Sequence, residues 1–256
     1  MSQRSAVVTG AASGIGRAVA IRLAEDGFDV VLGDVRRNPI TGGEPTEDVI
    51  RAAARSVVHV DADVSSPGDC DRLVAAAVER TGSLDLVVNN AVLAGHHSKP
   101  LLDTEPEDWD AMMAVNLRGP YLLCRAAVRH MLTQPLAGDA RGRIVNITSQ
   151  HGMVGCPGHF AYSVGKGGLV QMTRQIAVDY GPQGILCNAV APGKIVTGTA
   201  GDLSASAEGL AYVRSRTPFV RLGRPEDVAA AVSYLANAAS YTSGINLMVD
   251  GGWMAY

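Results

Sequence analysis

The sequence predicts an α/β fold in which a doubly wound parallel sheet of about seven strands carries helices on both faces. Short β-branched runs alternate with longer alanine-rich segments along the whole chain, which is typical of strands and helices in turn. With 47% hydrophobic and 18% charged residues, the 256 residues can bury a large core. A glycine-rich turn joins the first apolar run to the first helical segment. We therefore expect a single domain over residues 1–256.

Each predicted element has its own local signal. Runs rich in valine, isoleucine and leucine predict strands near 6–9, 29–34, 56–61, 84–89, 143–148, 185–189 and 246–249. Longer segments predict helices near 14–26, 46–55, 67–81, 106–133, 160–180 and 225–237, of which 46–55 is the weakest. The stretch 193–217 shows no regular period and is rich in glycine, alanine and serine, so we expect an irregular, mobile lid over the substrate around 194–217.

Composition excludes several classes of function. The formal net charge of −3 provides no basic surface for nucleic acid, and no apolar run is long enough to span a membrane. The chain enters its first predicted strand almost at once, which leaves no room for a signal peptide. Its four cysteines are widely spaced without CxxC pairs, so we expect no metal site and no disulfide framework. The reducing cytoplasm is the expected location.

The glycine-rich turn has the pattern of a nucleotide-binding turn. Glycines between a strand and a helix permit a tight turn and let the backbone approach a pyrophosphate, which the helix N-terminus attracts. A plain strand-to-helix turn is the alternative. The residues expected to contact the cofactor are Gly10, Ser13, Gly14, Ile15 and Gly16.

An acidic residue at the end of the second predicted strand bears on the choice of cofactor. Asp34 follows Gly16 by eighteen residues, where a carboxylate can accept hydrogen bonds from the adenosine ribose of NAD and repel the 2′-phosphate of NADP. Arg36 and Arg37 follow directly and could instead bind that phosphate, although Asn38 indicates an exposed turn. NAD is expected, and NADP is the weaker alternative.

A tyrosine and a lysine four residues apart, Tyr162 and Lys166, predict a proton-transfer site. If both lie on one helix, they share a face, and an ammonium group beside a phenol favours the phenolate. A surface pair without function is the alternative, but the chain has only three lysines among 22 basic residues. Ser149 ends the preceding apolar run thirteen residues earlier and could join the same site.

Taken in order, these motifs resemble the short-chain dehydrogenase/reductase family over essentially the whole chain. The residues that carry the resemblance are the TGxxxGxG motif Thr9 to Gly16, Asp63-Val64, Asn89-Asn90-Ala91, Val115-Asn116-Leu117, Ser149, the YxxxK motif Tyr162 to Lys166, and Pro192-Gly193 before Ile195 and Thr197. The glycine pattern and the length are similar to those of the compact single-domain type. The resemblance implies a Rossmann fold and hydride transfer between a secondary alcohol and NAD.

The resemblance also implies a role for each catalytic residue. Tyr162 would act as the acid/base, and Lys166 would favour its phenolate and bind the nicotinamide ribose. Ser149 would hold the substrate oxygen and stabilise developing charge. Asn116 would bind a water molecule that connects Lys166 to solvent for proton relay.

Further residues would hold the cofactor. By resemblance, Asp63 would contact the adenine amino group with Val64 packed nearby, and Asn90 would support the adenosine ribose. Pro192 and Gly193 lead to the two residues that would hold the carboxamide, Ile195 and Thr197. The chain departs from the family pattern at Val92, where glycine is usual, and at Lys194, which could contact the substrate or remain solvated.

The segments expected to line the substrate pocket are polar. They supply His96, His97, Gln150, His151, His159 and Lys194. Each histidine could instead be structural, but together they favour a hydroxylated small molecule, a sugar or polyol, over a steroid or long acyl chain. An NADPH-linked ketone or 3-oxoacyl reductase is an alternative. A nucleotide-binding regulatory protein without catalysis is another, and the Asn116, Ser149, Tyr162 and Lys166 set argues against it.

Small residues on two helices suggest an assembly. They are Gly119, Ala126, Ala127, Gly167, Gly168 and Ala177. Close helix packing between subunits would suit them, and resembling enzymes are commonly tetramers, so we expect a homotetramer. Core packing within one subunit is the competing interpretation. The chain end from Val249 to Trp253 could form a second interface.

Overall fold

The computed structural model describes residues 3–93, 99–198 and 206–255. Seven strands form one parallel sheet in the order β3-β2-β1-β4-β5-β6-β7. They are β1 (Arg4–Thr9), β2 (Phe28–Asp34), β3 (Val57–Asp61), β4 (Leu86–Asn89), β5 (Gly142–Ile147), β6 (Ile185–Pro192) and β7 (Asn246–Val249). The helices are α1 (Gly14–Glu25), α2 (Thr46–Ala52), α3 (Pro67–Thr81), α4 (Pro106–Met113), α5 (Gly119–Met131), α6 (Phe160–Tyr180), α7 (Ala207–Arg216) and α8 (Pro225–Asn237).

The sheet is buried on both faces, which confirms the doubly wound fold. Successive side chains of a strand point to opposite faces. Ala6 and Val8 of β1 therefore join the core beneath α1 and α8, whereas Val7 between them joins the core beneath α3 and α5. Burial on both sides explains why the strands appear in the sequence as unbroken apolar runs instead of alternating ones.

The prediction of one long helix over residues 106–133 was wrong. The structure divides it into α4, one wide π-helical turn over Ala114–Arg118, and α5. In that turn the Gly119 N–H donates to the Ala114 carbonyl five residues back. Pro120 follows, and proline cannot donate to the Asn116 carbonyl and clashes with it in a regular α-helix. The proline therefore explains the widened turn, and the turn contains Asn116.

The expectation of an irregular stretch over 193–217 was also wrong in part, because residues 207–216 form α7. Ser206 caps this helix, and its Oγ accepts a hydrogen bond from the Gly209 N–H at 3.0 Å. Arg214 and Arg216 lie in the last turn, where they complement the helix dipole. Residues 199–205 of the predicted lid lie outside the described residues.

The small residues expected between subunits are used within this chain. Gly119 packs against Val64, because a Cβ at this glycine would lie 2.8 Å from the Val64 Cγ2 atom. Ala126 and Ala127 are buried in the core beneath the sheet. The remaining glycines pack similarly: a Cβ at Gly167 would approach the Gly152 carbonyl, and one at Gly168 would approach Leu117. Ala177 packs against the same core as α5. These residues therefore favour core packing over subunit contacts.

A search of the described helices finds none that is both long and apolar enough to cross a membrane.

Candidate active site

The strand order reverses between β1 and β4, and a cleft lies at this point. In an open parallel sheet, the crevice at the carboxyl ends of the strands where the order reverses is the usual ligand site. The cleft has a volume of about 430 Å³. Nine of the residues predicted to hold a cofactor line it: Gly10, Ser13, Gly14, Ile15, Asp34, Asp63, Val64, Asn90 and Thr197.

The glycines of the first turn have distinct physical roles. Gly10 and Gly14 have φ angles of +64° and +53°, a region that side chains disfavour. Gly16 does not line the cleft; a Cβ there would lie 2.1 Å from the Gly10 carbonyl oxygen. Its missing side chain lets α1 approach the end of β1. The first turn of α1 then faces the cleft, where its N–H groups can bind an anion.

Asp34 is held in place at the edge of the cleft. Its Oδ2 accepts a hydrogen bond from the Ala12 N–H at 3.0 Å, and its Oδ1 accepts one from the Arg36 N–H at 3.1 Å. The two arginines behind it differ. The Arg37 guanidinium pairs with Glu47 at 3.2 Å and Asp48 at 2.7 Å, whereas Arg36 is exposed and lines the cleft. Only Arg36 is therefore placed to meet a phosphate at this end.

Asn90 supports the turn after β1. Its Nδ2 donates to the Thr9 carbonyl at 2.9 Å and to the Gly10 carbonyl at 3.2 Å. Asp63, by contrast, stabilises its own loop, since its Oδ1 accepts hydrogen bonds at 2.8 Å from both the N–H and the Oγ of Ser65. The predicted cofactor residues that follow β1, β3 and β4 are thus held by hydrogen bonds to one another or within their own loops.

The catalytic residues predicted from the sequence meet at the end of β5. Ser149 follows β5, and its side chain makes a hydrogen bond with Tyr162 near the start of α6. Lys166 lies one turn further along α6, with its Nζ 5.8 Å from the Tyr162 ring centroid. The same Nζ donates to the Ile147 carbonyl at 2.7 Å. Tyr162 and Lys166 therefore share a helix face, as predicted.

The pKa of Tyr162 is shifted in the direction opposite to the one expected from the sequence. Burial raises the pKa of Tyr162 above its ordinary value of 10, although the hydrogen bond from Ser149 acts in the opposite direction. Burial also lowers the pKa of Lys166 from 10.5 to about 8. The expected lowering of the Tyr162 pKa by Lys166 is therefore wrong for this state of the protein, because the loss of solvent dominates both groups.

Asn116 is fully buried in the π-helical turn. Its Nδ2 donates to the Leu93 carbonyl and its Oδ1 accepts from the Leu93 N–H, both at 2.8 Å. The side chain thus fixes the segment after β4 beside α6, where Gly165 faces the Asn116 Cβ. Because Leu93 satisfies both polar groups of the amide, a water relay would need another group of this residue. The relay itself remains a prediction.

The Pro192-Gly193 motif ends β6 and is packed against the chain end. The Gly193 N–H donates to the Val249 carbonyl at 3.0 Å, and a Cβ at Gly193 would lie 2.7 Å from the Asp250 Cα. Ile195 is buried and bridges to Gly223. Thr197 lines the cleft, whereas Pro192, Gly193 and Ile195 do not. The Lys194 carbonyl accepts a hydrogen bond from the Gly223 N–H at 3.0 Å.

Two of the predicted substrate residues, His151 and His159, lie near Tyr162. The ring centroid of His159 is 6.2 Å from that of Tyr162 and 5.8 Å from that of His151. Burial and the nearby His159 lower the pKa of His151 from 6.5 to about 4, so this imidazole is neutral at physiological pH. His96 and His97 lie outside the described residues.

The sequence interpretation missed one residue of this cluster. Trp253 lies with its ring centroid 6.0 Å from that of His151, at an interplanar angle of 76°. The sequence predicted only that the chain end from Val249 to Trp253 could form a second interface. The Asp-Gly-Gly triplet before Trp253 was the available signal, since Gly251 and Gly252 have positive φ angles and turn the chain back.

The arrangement places a hydroxyl pair, Ser149 and Tyr162, near the buried amine of Lys166 at the sheet edge that also holds the cleft. Such a set can hold a substrate oxygen and exchange a proton with it. Among the described residues no group of three or more metal-ligating side chains occurs.

Known proteins resemble the chain over its full length. Residues 10–254 match the family described as enoyl-(acyl carrier protein) reductase. The chain is 40% identical to 2-(R)-hydroxypropyl-CoM dehydrogenase of Xanthobacter autotrophicus, over 98% of this chain and 99% of that relative. It is 35% identical to glucose 1-dehydrogenase 2 of Bacillus subtilis, over 100% and 96%. A solved structure of a candidate short-chain alcohol dehydrogenase from Sinorhizobium meliloti 1021 superposes with a TM-score of 0.89 at 32% identity, covering 100% and 98%.

Proposed function

The chain belongs to the short-chain dehydrogenase/reductase family, and we propose that it uses NAD to interconvert a secondary alcohol and its ketone. As a member of this family it is an oxidoreductase that acts on CH–OH groups. One observation carries the proposal: Ser149, Tyr162 and Lys166 converge at the carboxyl end of β5, at the same edge of the parallel sheet as the cleft that the nucleotide turn lines.

The residues of the cleft fit a dinucleotide. The first turn of α1 would receive the pyrophosphate, Asp34 the adenosine ribose, and Asp63 and Val64 the adenine, while Ile195 and Thr197 would hold the carboxamide. When bound, the nicotinamide accepts or donates the hydride. The protein's own contribution is to orient both reactants and to handle the proton.

Proton handling falls to Tyr162. With its pKa raised by burial, the phenol keeps its proton at neutral pH and can donate it to a ketone oxygen that it meets. Ser149, already hydrogen-bonded to Tyr162, would hold the same oxygen and stabilise its developing charge. Lys166, with its pKa lowered to about 8, remains mostly charged at pH 7 and supplies positive potential behind the phenol.

The proposal that Tyr162 is the acid/base is tested by replacing one oxygen. Tyr162→Phe should abolish turnover, by at least about a thousandfold, and leave the dissociation constant of NADH within about threefold of wild type. The matched control is Tyr180→Phe, at the far end of the same helix. Turnover in Tyr162→Phe close to that of the control would refute the assignment.

NAD is the proposed cofactor because the Asp34 carboxylate is held at the edge of the cleft, where its charge would repel the 2′-phosphate of NADP. An NADPH-linked ketone or 3-oxoacyl reductase is a second candidate. It is favoured by the exposed Arg36 at the cleft and by the description of the matching family as an acyl carrier protein reductase. Titration with NADH and NADPH separates the two, since tight NADPH binding with little NADH binding would overturn the NAD proposal.

A sugar or polyol is the proposed substrate. The support is the pair of half-buried histidines beside Tyr162 and the name of one relative, glucose 1-dehydrogenase 2. Contacts from His96, His151, His159 and Lys194 are part of this proposal. The experiment is a panel of sugars, polyols and hydroxy acids with NAD, followed by the absorbance of NADH. Turnover of hydrophobic ketones alone would contradict it.

We also propose a homotetramer in the cytoplasm. An apolar cleft of about 480 Å³ lies between α5 and α6, with Tyr121 about half exposed at its edge, and could receive a second copy of the chain. The four cysteines are free thiols, as a reducing compartment favours. Light scattering on wild type and Tyr121→Arg tests the assembly; a wild-type monomer would exclude it.

A further inference from the structure

The chain end folds back toward the catalytic residues through a tight turn. After β7, the Asp250 carboxylate accepts hydrogen bonds at 2.9 Å from the N–H groups of Gly252 and Met254. Gly251 and Gly252 have φ angles of +64° and +85°, which only glycine adopts easily. This turn buries the Trp253 ring, of which only 8% is exposed. A tryptophan three residues from the end of the chain is thus held in a defined place.

Trp253 connects two parts of the molecule that are distant in sequence. The Arg216 guanidinium at the end of α7 lies over its ring, 4.8 Å from the ring centroid. Its other neighbour is His151, two residues after the catalytic serine. The His151 N–H donates to the Ser149 Oγ at 3.1 Å, so the imidazole is tied to the catalytic hydroxyl. Trp253 therefore stands between α7 and the catalytic serine.

The segment after α7 packs directly on the turn that carries Trp253. The Phe219 N–H donates to the Gly251 carbonyl at 3.1 Å. A Cβ at Gly251 would lie 2.8 Å from the Thr217 Cγ2, and one at Gly252 would lie 3.0 Å from the Pro218 Cγ. The end of α7 and the end of the chain are therefore a single packed unit. A change at Trp253 must be felt both at α7 and at His151.

We propose that Trp253 is a positioning residue for substrate specificity: its buried ring fixes the His151 imidazole next to Ser149 and holds α7 through Arg216. This inference rests on the proposed function. The imidazole that Trp253 fixes supplies a hydrogen-bonding edge at a defined place beside the serine hydroxyl. A fixed edge favours a substrate whose hydroxyls are themselves held at fixed positions, as in a cyclic sugar, over a flexible open-chain polyol.

Kinetics of a graded series tests the role in specificity. Trp253→Leu should raise the KM for D-glucose by at least about tenfold and reduce the preference for D-glucose over sorbitol, with the KM for NAD within twofold. Trp253→Phe, which keeps a ring beneath Arg216, should lose less. Arg216→Ala should raise the D-glucose KM by about two- to fivefold, the value of one cation–π contact. Arg214→Ala and Trp109→Phe are the controls and should match wild type.

The outcomes separate this inference from the proposed function. If the wild type oxidises no sugar or polyol of the panel, the sugar or polyol proposal fails, and the same variants are measured with whichever secondary alcohol the panel identifies. A change in the ratio of kcat/KM between two such substrates in Trp253→Leu would support the role of Trp253. An equal loss for every substrate and for NAD would overturn it, because a purely structural residue gives a uniform loss.

A second measurement needs no substrate. Limited trypsin digestion of the full-length protein, followed by mass spectrometry, reports how firmly α7 is held, because cleavage after Arg214 requires local opening. Trp253→Leu should accelerate this cleavage by about tenfold, while cleavage after the exposed Arg55 stays unchanged and serves as the control. Equal rates at Arg214 in both proteins would show that Trp253 does not fix α7, and the proposal would fall.

Discussion

Lys166 should destabilise the fold at neutral pH, and its replacement by methionine tests this. The side chain is 3% exposed, and burial lowers its pKa from 10.5 to about 8. Among the described groups, its ammonium donates one hydrogen bond, of 2.7 Å, to the Ile147 carbonyl, and it lies 5.8 Å from the Tyr162 ring centroid. A buried ammonium group with one acceptor is costly. Methionine has a similar length and carries no charge, so Lys166→Met removes the cost of burial.

The size of this effect on stability follows from the thermodynamic linkage between protonation and folding. Because burial lowers the pKa of Lys166 from 10.5 to about 8, the charge costs about 3 kcal/mol of stability at pH 7. Because the pKa of the folded state is depressed, the unfolded chain binds more protons between pH 8 and 10.5, so stability rises with pH in this window and is lost as pH falls through 8. By pH 9.5 the remaining cost is about 1 kcal/mol, so the wild type should gain about 2 kcal/mol between pH 7 and 9.5.

The loss of the hydrogen bond to Ile147 costs Lys166→Met about 1–3 kcal/mol at either pH. This cost cancels when the two pH values are compared, which isolates the charge. We therefore expect the free energy of unfolding of Lys166→Met, relative to wild type, to fall by about 2 kcal/mol from pH 7 to 9.5. The variant should be inactive at both pH values if Lys166 supports Tyr162 as proposed.

The assay is urea unfolding followed by circular dichroism at pH 7 and 9.5, with one protein concentration throughout. Lys99→Met is the control, because the Lys99 ammonium pairs with Asp108 at 2.7 Å and this partner raises the pKa of Lys99. The contribution of Lys99 to the free energy of unfolding should be constant between pH 7 and 9.5. A relative free energy for Lys166→Met that stays within about 0.5 kcal/mol across the two pH values would refute the reasoning.

Three further predictions concern the cleft and the substrate side. Gly16→Ala should abolish NADH binding in a fluorescence titration, because its Cβ would lie 2.1 Å from the Gly10 carbonyl oxygen; Gly68→Ala, whose Cβ meets no atom within 4 Å, should bind normally. Asp34→Ser should lower the NAD-to-NADP ratio of kcat/KM by at least about tenfold, since the charge that repels the 2′-phosphate is lost, and an unchanged ratio would count against Asp34. His151→Gln should reduce the loss of stability between pH 6.5 and 4 in thermal unfolding, because the pKa of His151 is depressed to about 4 and its stabilisation is lost as pH falls through that value. A loss equal to that of wild type would contradict a buried neutral imidazole.

The sheet and the nucleotide end were predictable because both depend on short-range sequence signals. Seven apolar runs correspond to the seven strands, and the glycine turn lies where β1 meets α1. The pairing of Ser149 with Tyr162 was predictable only through the resemblance, since thirteen residues separate them and no local rule brings them together. Tyr162 and Lys166 followed from helical periodicity alone.

Elsewhere the tertiary structure overrides local patterns. The helix around Asn116 widens because Pro120 lacks an N–H. The helical period of residues 106–133 continues across this proline, so the sequence predicted one unbroken helix. The sequence prediction missed helix α7 because its residues favour a helix only weakly. Ser206 before the helix and the arginines in its last turn are nevertheless regular signals of a helix start and end. The contact of Trp253 with His151 depends on tertiary packing of the chain end against α7 and the segment after β5. These segments lie far apart in the sequence, so no local pattern predicts the contact.

Burial has opposite effects on the two groups that the sequence paired. It raises the pKa of Tyr162 and lowers that of Lys166, because the buried phenol is more stable when protonated and the buried amine when deprotonated. In this state Tyr162 is therefore poised as an acid, which favours reduction of a ketone near neutral pH. Alcohol oxidation needs Tyr162 to accept a proton, so we expect its rate to rise with pH and the reduction rate to fall. The proposed direction of the reaction is thus set by pH as much as by the substrate, and the same burial that creates the acid accounts for the cost of Lys166.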